Sequence, residues 1–306
     1  MTEFDLRTPI PPPGGHGGDG ARVAAALGLD PDDVLDLSAT MNPLAPDPVP
    51  VLRRHLGALH RYPDPSAAAA SLAAHLGVEP ELLVLTNGGA EAIALVAAEL
   101  GGRVDEPDFS LYPREGRADA PLWRSNPHSP SGRLAAPADD AGVWDEAFWP
   151  MATGTWTRGD HRRGRVVVGS LTKLLAVPGL RVGYALCPDA ELARRLRGRQ
   201  PTWSVNGLVA SALPELLDPV DLPSWAAGTA RLRDRLVDGL VAAGLTPVAA
   251  DAPWVLVPGA AGLRDRLARH GVVVRDCASF GLVDTVRVAV PGDEGRRRLL
   301  TALEAS

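Results

Sequence analysis

The chain has 306 residues, is 45% hydrophobic and 22% charged, and carries a net charge of −6. Length and apolar content predict one large α/β domain, or such a domain with a smaller one attached, and exclude a disordered tail. The acidic balance argues against a grip on nucleic acid through phosphate neutralisation, and two cysteines exclude a disulfide scaffold or a cysteine-rich zinc module, so no metal is expected.

The first twenty residues are rich in Pro and Gly and lack the charged-then-apolar plan of a secretory leader. No apolar run is long enough to span a membrane, so a soluble cytoplasmic protein with no membrane or nucleic-acid partner is expected. A short Ala-rich helix is predicted over 20–27 and a strand over 34–38. Asn42-Pro43 opens an irregular crossing, followed by helices over 49–59 and 66–76. A strand at 82–86 ends in Asn87-Gly88-Gly89 and leads into a helix at 90–100 with Glu91 in its first turn. Further short apolar runs at 103–105, 120–123, 142–144, 165–169 and 183–187 predict an open, mostly parallel sheet with helices on both faces. The basic stretch 158–165 reads as a solvated loop. From about Pro188 long helical patterns take over, at 190–199, 206–217 and 224–243. Strand–helix pieces follow at 254–257 with 261–270, and at 272–275 and 285–290 before a last helix at 293–304, as in a smaller α+β domain. The predicted boundaries are a large domain over 36–195, and a small domain built from 1–35 and 196–306.

Of the 31 basic residues counted as Lys or Arg, one is lysine, Lys173. A coding bias that replaces Lys by Arg accounts for the excess of arginine. Arginine does not give up its proton in a protein and cannot serve as an amine nucleophile, so the one lysine left stands out as a chemical candidate. It follows an apolar strand in Gly169-Ser170-Leu171-Thr172-Lys173, with Arg181 eight residues later in a Gly-flanked turn. A lysine that forms a Schiff base with pyridoxal 5′-phosphate needs such neighbours: a rigid support for the amine, and hydroxyls with a fixed positive charge for the phosphate. The plain alternative is a surface loop with an incidental lysine. The Gly88-Gly89 turn presents free backbone N–H groups at a helix start, which suits an anion, although many strand–helix turns hold glycines and no ligand. Asp145, in Trp144-Asp145-Glu146-Ala147-Phe148, ends a strand and could keep a pyridine nitrogen protonated, or simply cap a turn. Phe109, in Pro107-Asp108-Phe109, offers a face to stack on a ring, or core packing.

Taken in order, these segments resemble the fold-type I pyridoxal-phosphate enzymes of the class I/II aminotransferase superfamily over nearly the whole chain. The segments His16-Gly17-Gly18-Asp19, Asp36-Leu37-Ser38, Asn42-Pro43-Leu44, Tyr62-Pro63-Asp64-Pro65, Arg275-Asp276-Cys277 and Val286-Arg287-Val288 are similar to the threonine-phosphate decarboxylases of cobalamin biosynthesis, relatives of histidinol-phosphate aminotransferase. The resemblance implies that Lys173 carries the cofactor and then acts as acid and base, Asp145 pairs with the pyridine nitrogen and Phe109 stacks on the ring. It also implies that Gly89, Ala90, Ser170, Thr172 and Arg181 hold the phosphate. Tyr62 would reach the cofactor of a neighbouring subunit, which implies a homodimer with shared sites. Arg287 matches the arginine that binds a substrate anion, and Arg275, His16 and Asn42 would line the substrate side.

Two features depart from the family pattern. Ser129 stands where an asparagine usually bonds the ring hydroxyl, and Phe148 stands where a tyrosine often does. The stretch around 133–144 is also shorter than usual. The reading is a decarboxylase of L-threonine O-3-phosphate that yields (R)-1-amino-2-propanol phosphate and CO₂. The alternatives are an aminotransferase on histidinol phosphate or a related phosphorylated amine, and a regulatory protein that binds the cofactor without turnover. Both cysteines are expected to be inert.

Overall fold

The computed structural model describes residues 9–114 and 119–306, so the reading of residues 1–8 as free of a leader lies outside the described residues. The strands are β1 Leu35–Leu37, β2 Leu83–Thr86, β3 Arg103–Val104, β4 Leu122–Ser125, β5 Val143–Asp145, β6 Val166–Ser170, β7 Gly183–Leu186, β8 Val248–Ala249, β9 Trp254–Val257, β10 Val272–Asp276 and β11 Val286–Ala289. The α-helices are α1 Gly20–Leu27, α2 Val49–His55, α3 Ser66–Leu76, α4 Gly89–Leu100, α5 Trp149–Thr153, α6 Leu171–Leu174, α7 Ala190–Arg199, α8 Gly207–Leu217, α9 Leu222–Ala242, α10 Leu263–Ala268 and α11 Asp293–Glu304.

The chain divides into two compact units. The larger holds the described residues of Leu44–Ser129 and Arg133–Ala227; the smaller holds those through Pro43, 130–132 and 228–306. Each boundary lies further along the chain than the sequence patterns place it. Helices α7 and α8 supply buried apolar side chains to the larger unit's core, and the division runs through α9.

The larger unit is built on a six-stranded sheet in the order β2-β7-β6-β5-β4-β3. The pairs β3/β4, β4/β5 and β5/β6 are parallel, whereas β7 runs antiparallel to both β6 and β2. A parallel neighbour needs a long crossover; residues 171–182 hold only the four-residue α6 and bring the chain straight back. Period-two burial makes this a three-layer sandwich. Leu83, Leu85, Val167, Tyr184 and Leu186 pack with Leu72 of α3 and Leu213 of α8. Val84, Val166, Val168 and Ala185 pack on the other face with Ile93 of α4 and Leu196 of α7. Strands buried on both faces read as unbroken apolar runs, which is why Val166-Val167-Val168 shows no alternation. Helix starts follow the sequence: Asp189 accepts from Leu192 N–H at α7, and Asn206 from Val209 N–H at α8.

Residues 126–142 join β4 to β5 without any helix. The stretch 158–165 is not the solvated loop its composition predicts. Arg158 Nη2 donates to the carbonyls of Ala136, Pro137 and Asp139 at 3.1, 3.2 and 3.3 Å, and its guanidinium lies 4.9 Å from the Trp144 ring centre. Asp160 and His161 are buried, and only the outer arginines such as Arg163 face solvent. Charge alone did not separate an arginine that gathers carbonyls from one that is solvated.

The smaller unit has a five-stranded sheet, β1-β10-β11-β9-β8, with β1/β10 parallel and the remaining pairs antiparallel. Its core joins Val255, Val272, Val274, Val286 and Val288 to Leu236 of α9, Leu267 of α10 and Leu299 of α11. Among the described residues no helix is long and apolar enough to cross a membrane.

Candidate active site

In the larger unit the chemistry-bearing residues converge at the ends of β2, β5 and β6. Strand β2 runs into the start of α4 through Gly88, whose φ is +83°. A Cβ there would lie 2.7 Å from Arg181 Nη2, so glycine lets the guanidinium settle on the turn. On the other side, a Cβ on Gly183 would come within 2.5 Å of Gly88 C and Gly89 N. Arg181 itself holds φ at +57° and is exposed. Gly89 and Ala90 open α4 with no side-chain cap, so their N–H groups remain outside the helix's own ladder. The Ser170 side chain lies 3.3 Å from the position of a Gly89 Cβ. Helix start, hydroxyl and guanidinium together form a cradle of the right charge for a phosphate.

Lys173 sits in α6, directly after β6. Its Nζ donates to Ser170 Oγ at 3.3 Å and stands 5.3 Å from the centre of the Phe148 ring. An aromatic face under an ammonium is a favourable seat that adds no competing acceptor. Thr172 is used differently from its neighbours. Its hydroxyl donates to Val182 O at 3.1 Å and accepts from Val182 N–H at 3.3 Å, tying α6 to the start of β7. This is a correction to the expectation that pairs it with Ser170 toward the phosphate, because the hydroxyl proton is already spent on a carbonyl.

Asp145 ends β5. One oxygen accepts from Ala147 N–H at 2.8 Å, the other from the Tyr112 hydroxyl at 2.8 Å. Asp145 is half-buried. Burial pushes its carboxyl up, and the hydrogen bonds and the Lys173 charge pull against that rise. Phe109 is half-buried, with its ring edge-on to Tyr112 at 5.6 Å. Ser129 is buried and its N–H donates to Ser125 Oγ at 2.7 Å. The sequence reading missed Tyr112, Ser125 and Asp108. Tyr112 stands three residues after Phe109 in the same turn, but nothing in sequence signals a partner 33 residues away.

The residues present fit pyridoxal phosphate: an anion cradle, an amine beside a hydroxyl, and a half-buried carboxylate. Tyr62 is not part of this cluster. It is 77% exposed, is stacked on Trp203 at 4.2 Å, and makes no hydrogen bond or ring contact with the cluster. An open groove of about 410 Å³ beside Trp203 has Pro63, Glu81, Arg197 and Gln200 in its wall and none of the cluster residues. Both cysteines are buried, and burial pushes the thiols of Cys187 and Cys277 up to about 12 and about 11.

In the smaller unit Arg275 and Arg287 are direct cross-strand partners on β10 and β11. They are 3% and 6% exposed, and among the described residues neither is paired with a carboxylate. Arg275 Nη2 donates to Gly15 O at 2.8 Å, while its buried Nε has no partner among the described residues. Arg287 lies 4.7 Å from the Trp254 ring centre. Burial, then the Arg275 charge, push the Arg287 guanidinium well below the ordinary arginine value. The Gly15 contact joins Arg275 to the loop that carries His16, an exposed residue; Asn42 is buried. A Cβ on Gly17 would lie 2.4 Å from Ser38 O and 3.4 Å from Arg275 Nη1, so this loop closes tightly.

Comparison with known proteins gives this arrangement a family. The family model for aminotransferase class I and II matches residues 121–303. Threonine-phosphate decarboxylase of Salmonella typhimurium is 30% identical over 358 aligned positions, covering 94% of this chain and 95% of that protein. Those aligned positions outnumber the 306 residues here, so that relative carries segments this chain lacks. Histidinol-phosphate aminotransferase of Halorubrum lacusprofundi is 29% identical, covering 92% of this chain and 91% of its own. The structure of histidinol-phosphate aminotransferase from Sinorhizobium meliloti in complex with pyridoxal-5′-phosphate has the same fold, with a TM-score of 0.79 at 19% identity over 100% of this chain and 98% of that one. The chain belongs to the class I and II aminotransferases, a family of pyridoxal-phosphate-dependent enzymes that holds both aminotransferases and decarboxylases.

Proposed function

We propose that the protein is a decarboxylase of L-threonine O-3-phosphate, producing 1-amino-2-propanol phosphate and CO₂. The observation that carries the phosphorylated substrate is the buried Arg275–Arg287 pair, and the 30% identity to a threonine-phosphate decarboxylase over 94% of this chain favours decarboxylation. Like charges placed opposite each other in a sheet repel, and burying them away from water adds to the cost. A phosphate dianion offsets both terms, and a guanidinium matches its geometry.

Bound pyridoxal phosphate supplies a sink for the electron pair released at the substrate Cα. Everything else falls to the chain. Gly89, Ala90, Ser170 and Arg181 bind the cofactor phosphate. Asp145 would keep a proton on the ring nitrogen, and Phe109 would stack on the ring. Lys173 would anchor the cofactor through its amine, and its ammonium would supply the proton that takes the place of the carboxylate at Cα. Which bond at the substrate Cα breaks would depend on how the chain orients the substrate. With Arg275 and Arg287 on the side-chain phosphate, the pair would leave the carboxylate unheld and able to depart as CO₂. A homodimer belongs to this reading, with the exposed Tyr62 reaching the cofactor phosphate of a second copy.

The second reading, an aminotransferase on histidinol phosphate, uses the same pair for the same phosphate and differs in the bond broken. Its support is the family relation to histidinol-phosphate aminotransferases. The test is an assay of the holoenzyme with L-threonine O-3-phosphate, with and without a 2-oxo acid. CO₂ release that needs no 2-oxo acid supports the decarboxylase. Amino transfer that depends on the 2-oxo acid, without CO₂, overturns it in favour of the second reading.

A further inference from the structure

Tyr112 is 3% exposed and touches two of the groups assigned to the cofactor ring. Its hydroxyl donates to Asp145 Oδ2 at 2.8 Å, and its ring meets Phe109 edge-on at 5.6 Å, with an interplanar angle of 75°. Behind it, the Trp123 ring lies 5.4 Å away. The turn that carries Tyr112 is pinned at several points. Asp108 accepts from Phe109 N–H at 2.7 Å and from Ser125 N–H at 3.0 Å, and the Ser125 hydroxyl also donates to it. Arg114 donates to the carbonyls of Ser110 and Tyr112 at 3.0 and 2.9 Å and pairs with Glu106. A turn held this way has little freedom to re-aim the phenol.

We infer that Tyr112 is a positioning residue for the cofactor ring, aiming Asp145 at the ring nitrogen through its hydroxyl and backing Phe109 through its ring edge. This rests on the cofactor reading of the site proposed above. The hydroxyl does more than orient. A half-buried carboxylate loses part of its preference for the ionised form, and each donated hydrogen bond restores some of it. Among the described residues two donors reach Asp145, Ala147 N–H and Tyr112 Oη, and of these only the phenol can be removed by a side-chain change. The charged and titratable groups around Asp145 are Lys173 from α6, which favours its charge, and Asp108 from the Tyr112 turn, which opposes it. Tyr184 of β7 also feels the charges of Asp145 and Glu146, and burial holds its proton firmly. Only an ionised Asp145 keeps the ring nitrogen protonated, so the phenol, with the Ala147 N–H and Lys173, extends tight cofactor binding to lower pH.

The test is cofactor affinity as a function of pH, read by equilibrium dialysis and by the visible absorbance of bound pyridoxal phosphate, for the wild type, Tyr112→Phe and Tyr112→Leu. Tyr112→Phe keeps the ring and removes the hydrogen bond, so cofactor binding should weaken by about tenfold. The pH at which affinity falls on acidification should rise by about one pH unit. Tyr112→Leu should weaken binding further, because Phe109 also loses its support. A merely structural role would lower the melting temperature of Tyr112→Phe and leave that pH limit in place. A Tyr112→Phe protein with wild-type affinity and wild-type pH limit overturns the inference and leaves the cofactor reading standing. A wild-type protein that fails to bind pyridoxal phosphate removes both together.

Discussion

Asp145 in the larger unit is a half-buried charge and the Arg275–Arg287 pair in the smaller one is buried, and their surroundings differ. Asp145 accepts from Ala147 N–H and from Tyr112, and Lys173 favours its charge. The arginines face each other across β10 and β11 with no carboxylate partner among the described residues. A charge that arrives already supported can serve a resident group whose position does not change. Charges left uncompensated await an anion that comes and goes. On the proposed reading the first is the cofactor and the second is the substrate.

The largest effect that would sharpen this contrast comes from the larger unit. Lys173→Ala should abolish the borohydride-reducible adduct with pyridoxal phosphate and lower turnover by about 10⁴-fold. A reducible adduct that survives the change removes Lys173 from its role. Asp145→Ala should reduce turnover by about 10²–10³-fold, and weaken cofactor binding by about tenfold or more, because it deletes a fixed electrostatic partner of the reacting ring. Unchanged turnover would take Asp145 out of the mechanism.

Arg287→Met probes the other side. It should raise KM for the phosphorylated substrate roughly ten- to a hundredfold. It should also raise the melting temperature of the substrate-free protein, because an unpaired buried cation gives way to an apolar side chain of similar length. A lower melting temperature would mean that Arg287 is structurally satisfied and is not held for a ligand. The opposite signs expected for binding and stability set this position apart from Lys173.

The smallest effect concerns Glu146, a buried acid of the larger unit outside the proposed chemistry. One oxygen accepts from Arg158 N–H at 3.1 Å, the other has no partner among the described residues, and burial pushes the carboxyl up to about 7. A raised carboxyl costs nothing while protonated, so the penalty grows as pH rises from 4.5 toward about 7. Glu146→Gln should therefore gain a few degrees in melting temperature over the wild type at pH 8, and much less at pH 5. An equal gap at both pH values would contradict this account.

Much of the larger unit was legible in sequence because its signals are local. The single lysine after an apolar strand, the glycine turn into α4 and the carboxylate ending β5 each lie within a few residues of the element that positions them. What sequence did not carry is non-local. The direction of β7 depends on how residues 171–182 return, and periodicity is blind to direction. Arg158 looked like part of a solvated basic run until the carbonyls of 136, 137 and 139 came to meet it. Thr172 matched a motif, but its hydroxyl is taken by Val182. The Tyr112–Asp145 bond and the facing of Arg275 and Arg287 exist only through strand register and tertiary packing.

The buried arginine pair is central to the proposed function. Calorimetric titration of the protein with L-threonine O-3-phosphate and with L-threonine, for the wild type and for the Arg275→Met, Arg287→Met double variant, measures this directly. The account predicts a wild type that prefers the phosphorylated compound by about 10²-fold or more, and a folded double variant that has lost the preference. A double variant with native circular dichroism that keeps the full preference would contradict it.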